Sequence, residues 1–277
     1  MTDEPLRSSP NYQESFEVHA LDPSTGAGFV CATGRFPDRL VTWAAVTTGD
    51  GHFIEHSRAG ADDGRVTFSD GTLRIDEDGG SLEVEVVDLH PETPWRGSLD
   101  DLAHGHVETS CRVDGILRVG DREVRLDAAL GHRDRSWGPR DLTTCLNHRW
   151  FAGTCGPELC FSFDNLVIEP GTALELGYVV RHGDVDPVVS VDIEVAVGSD
   201  CLTPRSVVAR ATGESGRTLV VRTTRAHQTF VNVRDGWFTA TDRLFEVECD
   251  GLVGIADLNL TVNPQAGRTP AKVITRT

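Results

Sequence analysis

The chain has 277 residues, of which 39% are hydrophobic and 25% charged, and its formal net charge at pH 7 is -17. This composition predicts a soluble, folded protein of one large or two modest domains and excludes a disordered chain. The negative charge argues against nucleic acid and anionic membranes as partners, because both require a basic protein surface.

The compartment is indicated by the N-terminal segment and by the cysteines. No run of about 18 apolar residues is present, so we expect no transmembrane helix and no stable membrane insertion. The N-terminus lacks the basic and apolar regions of a signal peptide, which predicts a cytoplasmic protein. The seven cysteines are scattered from Cys31 to Cys249 and fit reduced, mostly buried thiols.

Short β-strands are predicted along almost the whole chain, because glycine and proline separate short alternating or β-branched runs. Asp-Gly pairs predict tight turns at Asp70-Gly71, Asp114-Gly115 and Asp250-Gly251. Short turns are also predicted at Asp100–His104 and Ala226–Gln228. The predicted strands are Ser15–Ala20, Gly28–Gly34, Arg39–Thr47, Arg65–Phe68, Thr72–Asp76, Leu82–Leu89, His104–Val113, Ile116–Val119, Arg122–Ala128, Arg149–Thr154, Leu159–Ile168, Ala173–Arg181, Val188–Val197, Ser206–Thr212, Thr218–Thr224, Arg243–Cys249 and Leu252–Val262.

The number of strands favours an all-β protein with two domains. Seventeen short strands are too many for one small barrel, and no long amphipathic helix alternates with them. We therefore predict two antiparallel β-barrels or β-sandwiches packed side by side. The predicted boundaries are a flexible tail at residues 1–12, an N-terminal domain at 13–145 and a C-terminal domain at 146–277.

The densest polar segment is Gly131-His132-Arg133-Asp134-Arg135-Ser136-Trp137-Gly138-Pro139-Arg140-Asp141. It follows an alternating strand and is interpreted as a loop. Arg133 with Asp141, or Asp134 with Arg140, has the geometry for paired hydrogen bonds, so the segment can join two domains without catalysis. Alternatively, Asp134 or His132 is a proton donor that faces an apolar cavity, since burial keeps a carboxylic acid protonated.

This segment resembles the Gly-x-Arg-Asp-His-Ser-Trp-Gly-x-Arg-Asp signature of a large group of uncharacterised bacterial proteins. That group is similar to lipocalin-like carotenoid 1,2-hydratases and fungal decalin-forming Diels–Alderases. Weaker matches are Glu14-Ser15-Phe16, the strands of Gly28–Ala45 with Trp43, and His106-Val107-Glu108. The resemblance implies two calycin- or lipocalin-like β-domains, a hydrophobic pocket between or within them, and no cofactor.

The resemblance also implies isoprenoid or polyketide-like substrates. One position departs from the signature, because Arg135 stands where the group usually has histidine. Arginine does not release its proton near neutral pH, so Arg135 cannot replace that histidine as an acid. Asp134 and His132 would then carry the proton transfer.

A second polar cluster lies on the predicted strand that contains His106 and Glu108. A period of two places five polar side chains on one face, namely His104, His106, Glu108, Ser110 and Arg112. This face is either exposed to solvent or lines a cavity, with Glu108 opposite the predicted loop that contains Asp134. His-x-His-x-Glu can supply metal ligands, but no second cluster completes the set, so no metal is expected. Cys145, His148, Cys155 and Cys160 also lack the spacing of a zinc site and are interpreted as core residues.

Tryptophans are the candidates for an apolar pocket wall. Trp43 and Trp150 lie on predicted strands, where core packing is an alternative role, whereas Trp95 and Trp237 lie near turns and are candidates for a pocket rim. No glycine-rich loop has a phosphate-binding form, which argues against nucleotide cofactors. Glu14 and Glu17 are alternative acids.

The first functional hypothesis is a cofactor-independent lyase (hydratase or dehydratase) or isomerase/cyclase acting on a hydrophobic isoprenoid or polyketide-like molecule. Asp134 is the proposed acid, assisted by His132. Glu108, a candidate catalytic residue, and His106, a candidate for substrate binding, form the opposing polar side. The remaining substrate-binding candidates are Arg133, Arg140, Trp137, Trp43, Trp95 and Trp237.

The alternative hypothesis is a non-catalytic, lipocalin-like carrier of a hydrophobic small molecule, with the Arg–Asp segment as an inter-domain latch. A carbohydrate-binding β-sandwich is less favoured, because the chain has only two tyrosines. The expected partner is a hydrophobic small molecule, and a homodimer is left open.

Overall fold

The computed structural model describes residues 12–95, 105–139, 146–169, 172–200, 203–234, 238–262 and 273–275. Strands dominate these residues, so the all-β prediction is confirmed. No helix in these ranges is long and apolar enough to span a membrane. The strands are β1 (Tyr12–Leu21), β2 (Gly28–Arg35), β3 (Leu40–Thr47), β4 (Phe53–Gly60), β5 (Val66–Ser69), β6 (Thr72–Glu77), β7 (Gly80–Asp88), β8 (Thr93–Pro94), β9 (Gly105–Val119), β10 (Arg122–Pro139), β11 (Asn147–Thr154), β12 (Leu159–Glu169), β13 (Thr172–Arg181), β14 (Asp184–Val197), β15 (Pro204–Gly213), β16 (Thr218–Arg234), β17 (Phe238–Cys249), β18 (Leu252–Val262) and β19 (Val273–Thr275).

The described chain divides into two compact units. Unit 1 contains residues 12–94 and 105–139, which carry β1 to β10. Unit 2 contains Trp95, residues 146–262 and residues 273–275, which carry β11 to β19. Of the predicted tail, residues 1–11 lie outside the described residues, and Tyr12 is the first residue of β1.

Unit 1 is a ten-stranded antiparallel sheet with the order β4-β3-β2-β1-β10-β9-β7-β6-β5, and β8 pairs with β9. Alternation along the strands sends one set of apolar side chains to a common core. Val18, Phe29, Leu73 and Val113 lie in this core, and Ile54 of β4 packs against it. The sheet therefore curls, so that its two ends contribute to the same core.

Unit 2 contains a closed barrel. Strands β11 to β18 pair in a ring, because β13 pairs with β14 as well as with β12, and β19 adds to β14 in parallel. Aromatic and β-branched side chains fill the interior, among them Phe151, Phe161, Phe163 and Phe245. The prediction of barrel-like antiparallel domains is confirmed.

Two predicted Asp-Gly hairpins are present in the structure. Asp70 and Gly71 have φ values of 51° and 74° and join β5 to β6, while Asp250 and Gly251 have 50° and 78° and join β17 to β18. Two consecutive left-handed residues match the twist of the flanking strands, and Asp-Gly tolerates that conformation well. Local turn chemistry therefore fixes these hairpins.

Three local predictions were wrong. Asp114-Gly115 is not a turn, because β9 runs through it while pairing with β7 and β10. Residues 131–139 are not a loop but the second half of β10, which is hydrogen-bonded to β1 on one side and to β9 on the other. Ala226–Gln228 lies inside β16 at a shift in register, and not in a turn.

One irregularity in β10 explains part of the wrong loop prediction. The register with β9 shifts between Leu126 and Ala129, and Ala128 has a φ of 52°. Asp114 Oδ1 accepts a hydrogen bond of 2.8 Å from the Ala128 backbone N–H. This β-bulge interrupts the strand pattern without ending the strand. The other prediction in this region, a turn at Asp100–His104, lies outside the described residues.

Candidate functional site

Nine polar side chains form an array on the face of the unit 1 sheet opposite the core. They come in three rows across β1, β10 and β9, because directly opposed residues of antiparallel strands point to the same side about 5 Å apart. The rows are Ser15–Ser136–His106, Glu17–Asp134–Glu108 and His19–His132–Ser110. We call these nine residues the polar array.

The alternation of β1 shows why the sequence builds this array. Val18 and Ala20 enter the apolar core, so Glu17 and His19 must point to the other face. β9 alternates in the same way, with Cys111 and Val113 in the core. The two strands flank β10, which places its own polar positions between theirs.

Glu108 is at the centre of the polar contacts. Its side chain is fully buried, and its Oε1 lies 2.7 Å from His106 Nε2. Its Oε2 lies 3.7 Å from His132 Nε2. The carboxyl group thus stands between two imidazole rings, one from its own strand and one from β10.

The histidine and serine rows add further contacts. The rings of His19 and His132 stack with centroids 5.7 Å apart. Ser15 Oγ and Ser136 Oγ are 2.5 Å apart and share a hydrogen bond. These contacts tie β1 to β10 on the polar face, so the array is held by side chains as well as by the backbone ladder.

Burial sets the charge state of His132. The ring is fully buried, and burial lowers the pKa of His132 to about 4, while the Glu108 carboxylate opposes the shift only in part. His132 is therefore uncharged at neutral pH. It can hydrogen-bond there, but it does not carry the extra proton that a general acid would give away.

His106, Glu108 and Asp134 have the donor atoms that could hold a metal ion. One ligand atom from each lies within 4.8 Å of the others. The sequence pattern on β9 lacked a completing group, and the pairing with β10 supplies Asp134. An imidazole and two carboxylates suit a divalent cation, so the absence of a metal stays a prediction for experiment.

Arg133, Arg135 and Trp137 occupy the alternate positions of β10 and point away from the polar array. The Arg133 guanidinium binds Asp88 through two hydrogen bonds of 2.8 and 2.6 Å, and Glu92 through one of 2.9 Å. Within the described residues, Arg133 is therefore an anchor inside unit 1 and does not reach the array. Its predicted alternative partner, Asp141, lies outside the described residues.

Trp137 packs closely against the backbone of β9. A Cβ at Gly105 would lie 2.2 Å from the Trp137 ring, so only glycine fits there. The guanidinium of Arg135 lies 5.6 Å from the ring centroid of Trp137, within the range of a cation–π contact. These contacts place Trp137 on the core side of the sheet.

The other tryptophans are distributed over both units. Trp43 is 4% exposed and shares a cross-strand row with Ala32 and Glu17, which places it on the face of the polar array. Trp95 belongs to unit 2, where it packs against Cys160, Tyr178 and Val180. Arg140 and Trp237 lie outside the described residues.

His19 was not predicted as a site residue from the sequence, and Glu17 was predicted only as an alternative acid. The available signal was the alternation Ser15, Glu17, His19, which matches the alternation of polar residues on β9. Its significance depends on the pairing of β1 with β10, which joins residues 121 positions apart in the case of Ser15 and Ser136.

The cysteines described are core residues, as predicted. Cys31, Cys111, Cys155, Cys160 and Cys249 are all buried, and none of these described cysteines forms a disulfide. His148 Nε2 lies 2.8 Å from Asp164 Oδ2, so its described partner is a carboxylate and not a cysteine. The sulfurs of Cys155 and Cys249 are 3.2 Å apart.

Comparison with known proteins gives the family of the chain. A family model described as a domain of unknown function, DUF7064, matches residues 2–264. The chain belongs to the DUF7064 family. No protein with a curated description matches this DUF7064 sequence.

Solved structures share the DUF7064 fold at low sequence identity. A Nitrosomonas europaea protein provisionally assigned as AttH matches with a TM-score of 0.64 at 12% identity, covering 90% of this chain and 92% of that one. Kievitone hydratase from Nectria haematococca matches with a TM-score of 0.60 at 13% identity, covering 93% of this chain and 91% of that one. CghA, solved with Sch210972, matches with a TM-score of 0.56 at 17% identity, covering 92% of this chain and 89% of that one. The predicted resemblance to a hydratase is thus confirmed at the level of the fold.

Proposed function

We propose that the protein is an enzyme whose acid–base centre is the polar array. Its substrate is a hydrophobic isoprenoid or polyketide-like molecule, and its reaction is a proton-triggered hydration or dehydration, isomerisation or cyclisation. The observation that carries the proposal is the meeting of His106, Glu108 and Asp134, whose donor atoms lie within 4.8 Å of one another.

Asp134 is the proposed proton donor. It is opposite Glu108 and only partly buried, whereas Glu108 is fully buried and hydrogen-bonded to His106. Two carboxyl groups this close favour a state with one shared proton, because two negative charges repel strongly in a buried site. The protonated group then gives a proton to the substrate, and the ionised group takes one back from water or carbon.

The fold supports this choice of reaction. Kievitone hydratase is named as a hydratase, and 93% of this chain aligns with its structure. One fold hosts many reactions, so the site residues and not the likeness carry the assignment. The sequence lacks the Gly-x-Ser-x-Gly elbow of serine hydrolases, so a buried acid–base pair fits proton transfer to an apolar substrate better than hydrolysis.

The test begins with native mass spectrometry of the protein purified from its own host, followed by organic extraction. A recovered isoprenoid or polyketide-like compound is then incubated with wild type and with Asp134→Asn. We expect the variant to lose about 10²- to 10⁴-fold in turnover, the usual contribution of a general acid, while its thermal unfolding is unchanged. Asp127→Asn, an exposed aspartate of the same strand, is the matched control and keeps wild-type turnover.

Two outcomes would contradict the proposal. Equal turnover by Asp134→Asn would remove the acid from the mechanism. A compound that binds tightly and is returned unchanged by wild type would favour the carrier hypothesis. Measuring turnover after exhaustive chelation distinguishes acid–base catalysis by side chains from catalysis by a bound cation. The first persists without the cation, and the second is lost.

A further inference from the structure

A second polar cluster lies on the core side of unit 1, at the curled end of the sheet. Thr42 of β3 and His56 of β4 are diagonal cross-strand neighbours, since Thr42 opposes Arg58 and His56 opposes Ala44. Thr42 Oγ1 is hydrogen-bonded to His56 Nε2, and His56 Nδ1 is hydrogen-bonded to Glu77 of β6. None of these residues belongs to the polar array.

The hydrogen bonds define which atoms of the cluster donate a proton and which accept one. A carboxylate only accepts hydrogen bonds, so Glu77 holds the neutral His56 ring with its proton on Nδ1. His56 Nε2 is then an acceptor, and the Thr42 hydroxyl donates to it. This order of hydroxyl, imidazole and carboxylate is the one in which imidazole withdraws a proton from an attacking oxygen.

Two neighbouring arginines hold the Glu77 carboxylate in position. Arg65 lies 3.1 Å from Glu77 Oε2, and Arg58 lies 3.8 Å from the same oxygen. The His56 side chain is 1% exposed and that of Glu77 14% exposed, so both are shielded from water. The base and the group that orients it are therefore held in place before any ligand arrives.

A cleft with room for a small ligand lies beside Thr42. The cleft has a volume of about 300 Å³ and is lined by Leu40, Thr42, Arg58, Ala59, Gly60 and Asp63, with Ala61 beside them. A Cβ at Gly60 would meet no atom within 4 Å, so this wall is open. β4 is the terminal strand of the sheet, and its outer backbone N–H groups can donate to a bound carbonyl.

We propose that Thr42 is the nucleophile of a second, acyl-transfer site that takes small esters. The Thr42 oxygen forms a bond to the ester carbonyl carbon while His56 Nε2 takes the hydroxyl proton. The bond from that carbon to the leaving alcohol then breaks, and the alcohol receives the proton from His56. Water attacks the acyl-threonine by the same proton route, which releases the carboxylic acid and restores the hydroxyl.

The experiment treats the full chain with p-nitrophenyl acetate. We expect release of p-nitrophenol and one acetyl group per chain, located on Thr42 by peptide mass spectrometry. Thr42→Val keeps the shape of the side chain and removes the nucleophile, so the acetylation at this residue is lost and hydrolysis falls by about 10²-fold or more. His56→Gln and Glu77→Gln slow the acetylation in the same direction.

Controls separate this chemistry from general surface reactivity. Thr67→Val changes an exposed threonine of β5, and His52→Gln changes an exposed histidine beside Asp50, so both keep wild-type acetylation. Should Thr42→Val fail to fold, Thr42→Ser takes over the test, because it retains the hydroxyl and must be acetylated at residue 42. An acetyl group found elsewhere, or none, overturns the proposal and leaves the function of the polar array untouched.

Discussion

Each unit buries polar side chains on the face opposite its core, but the two polar faces respond to acid in opposite directions. In unit 1 burial lowers the pKa of His132 to about 4. In unit 2 burial, reinforced by the neighbouring Asp242, raises the pKa of Asp257 well above its usual value. Burial favours the neutral form in both places, so a base loses its proton and an acid keeps it.

The surroundings of the two groups differ as well. His132 stands 3.7 Å from the Glu108 carboxylate. Asp257 lies near Asp242, whose Oδ1 accepts a hydrogen bond of 2.6 Å from Asn259. The charged neighbour of the His132 imidazole is thus a carboxylate, while that of the Asp257 carboxyl group is a second carboxyl group. A buried polar face can therefore favour the deprotonated form of a base or the protonated form of an acid, depending on its residues.

His132 provides a large expected effect on stability. Below about pH 6.5 the unfolded chain binds a proton on this residue, whereas the folded chain does so only near pH 4, so stability is lost as the pH falls through this window. The full loss is about 3 kcal/mol. His132→Gln removes this dependence, which urea unfolding at a series of pH values measures.

The control for that measurement is His52→Gln, because His52 is exposed and lies beside Asp50. This variant keeps His132, so it should still lose stability as the pH falls from about 6.5 to 4. If His132→Gln retains the full loss of stability between pH 6.5 and 4, then His132 is not a neutral, buried base in the folded chain.

Asp257 gives the opposite slope. Its pKa is raised in the folded chain, so its stabilising contribution is present at low pH and is lost as the pH rises above about 3.8. Asp257→Asn imitates the protonated acid and should gain stability relative to wild type as the pH increases. Asp184→Asn, an exposed aspartate of unit 2, should show no such gain in the same denaturation series. A parallel gain in both variants would refute the assignment.

A pair of serine substitutions gives the smallest effect. Ser162 accepts a hydrogen bond of 3.0 Å from Trp150 Nε1, and Ser162→Ala removes that acceptor at a cost of about 1 kcal/mol. Within the described part of the chain, the Ser110 hydroxyl is buried without a hydrogen-bond partner, so Ser110→Ala should be neutral or slightly stabilising. Chemical unfolding of both variants checks the difference, and equal losses would show that the two sites are satisfied alike.

The sequence predicted the parts of the fold that depend on neighbouring residues. The turns at Asp70-Gly71 and Asp250-Gly251 follow from the left-handed tolerance of Asp-Gly, and the strands beside them follow from alternation. The same rule failed at Asp114-Gly115, because pairing of β9 on both sides keeps the strand extended. Tertiary hydrogen bonds outweighed the local signal there.

Only part of the candidate site was predictable from the sequence. The alternation of β9 placed His106 and Glu108 on one face, and the segment around Asp134 was recognised as unusual. The segment was read as a loop because glycine, proline and charged residues crowd it. The third strand of the array depends on the register of Glu17 with Asp134, a pairing over more than a hundred residues that local patterns do not specify.

The closure of one sheet and the openness of the other have a consequence for self-association. The barrel strands of unit 2 pair in a ring, whereas the sheet of unit 1 ends at β4 and β5 in the part of the chain described. The unpaired backbone groups of an edge strand can pair with a strand of a second chain. Here the edge strands also carry the exposed side chains of Phe53 and Phe68. Charges on β4 such as Arg58 and Glu55 oppose such growth. Aggregation of this protein should therefore begin at the β4 and β5 edges, and neutralising their charges should accelerate it.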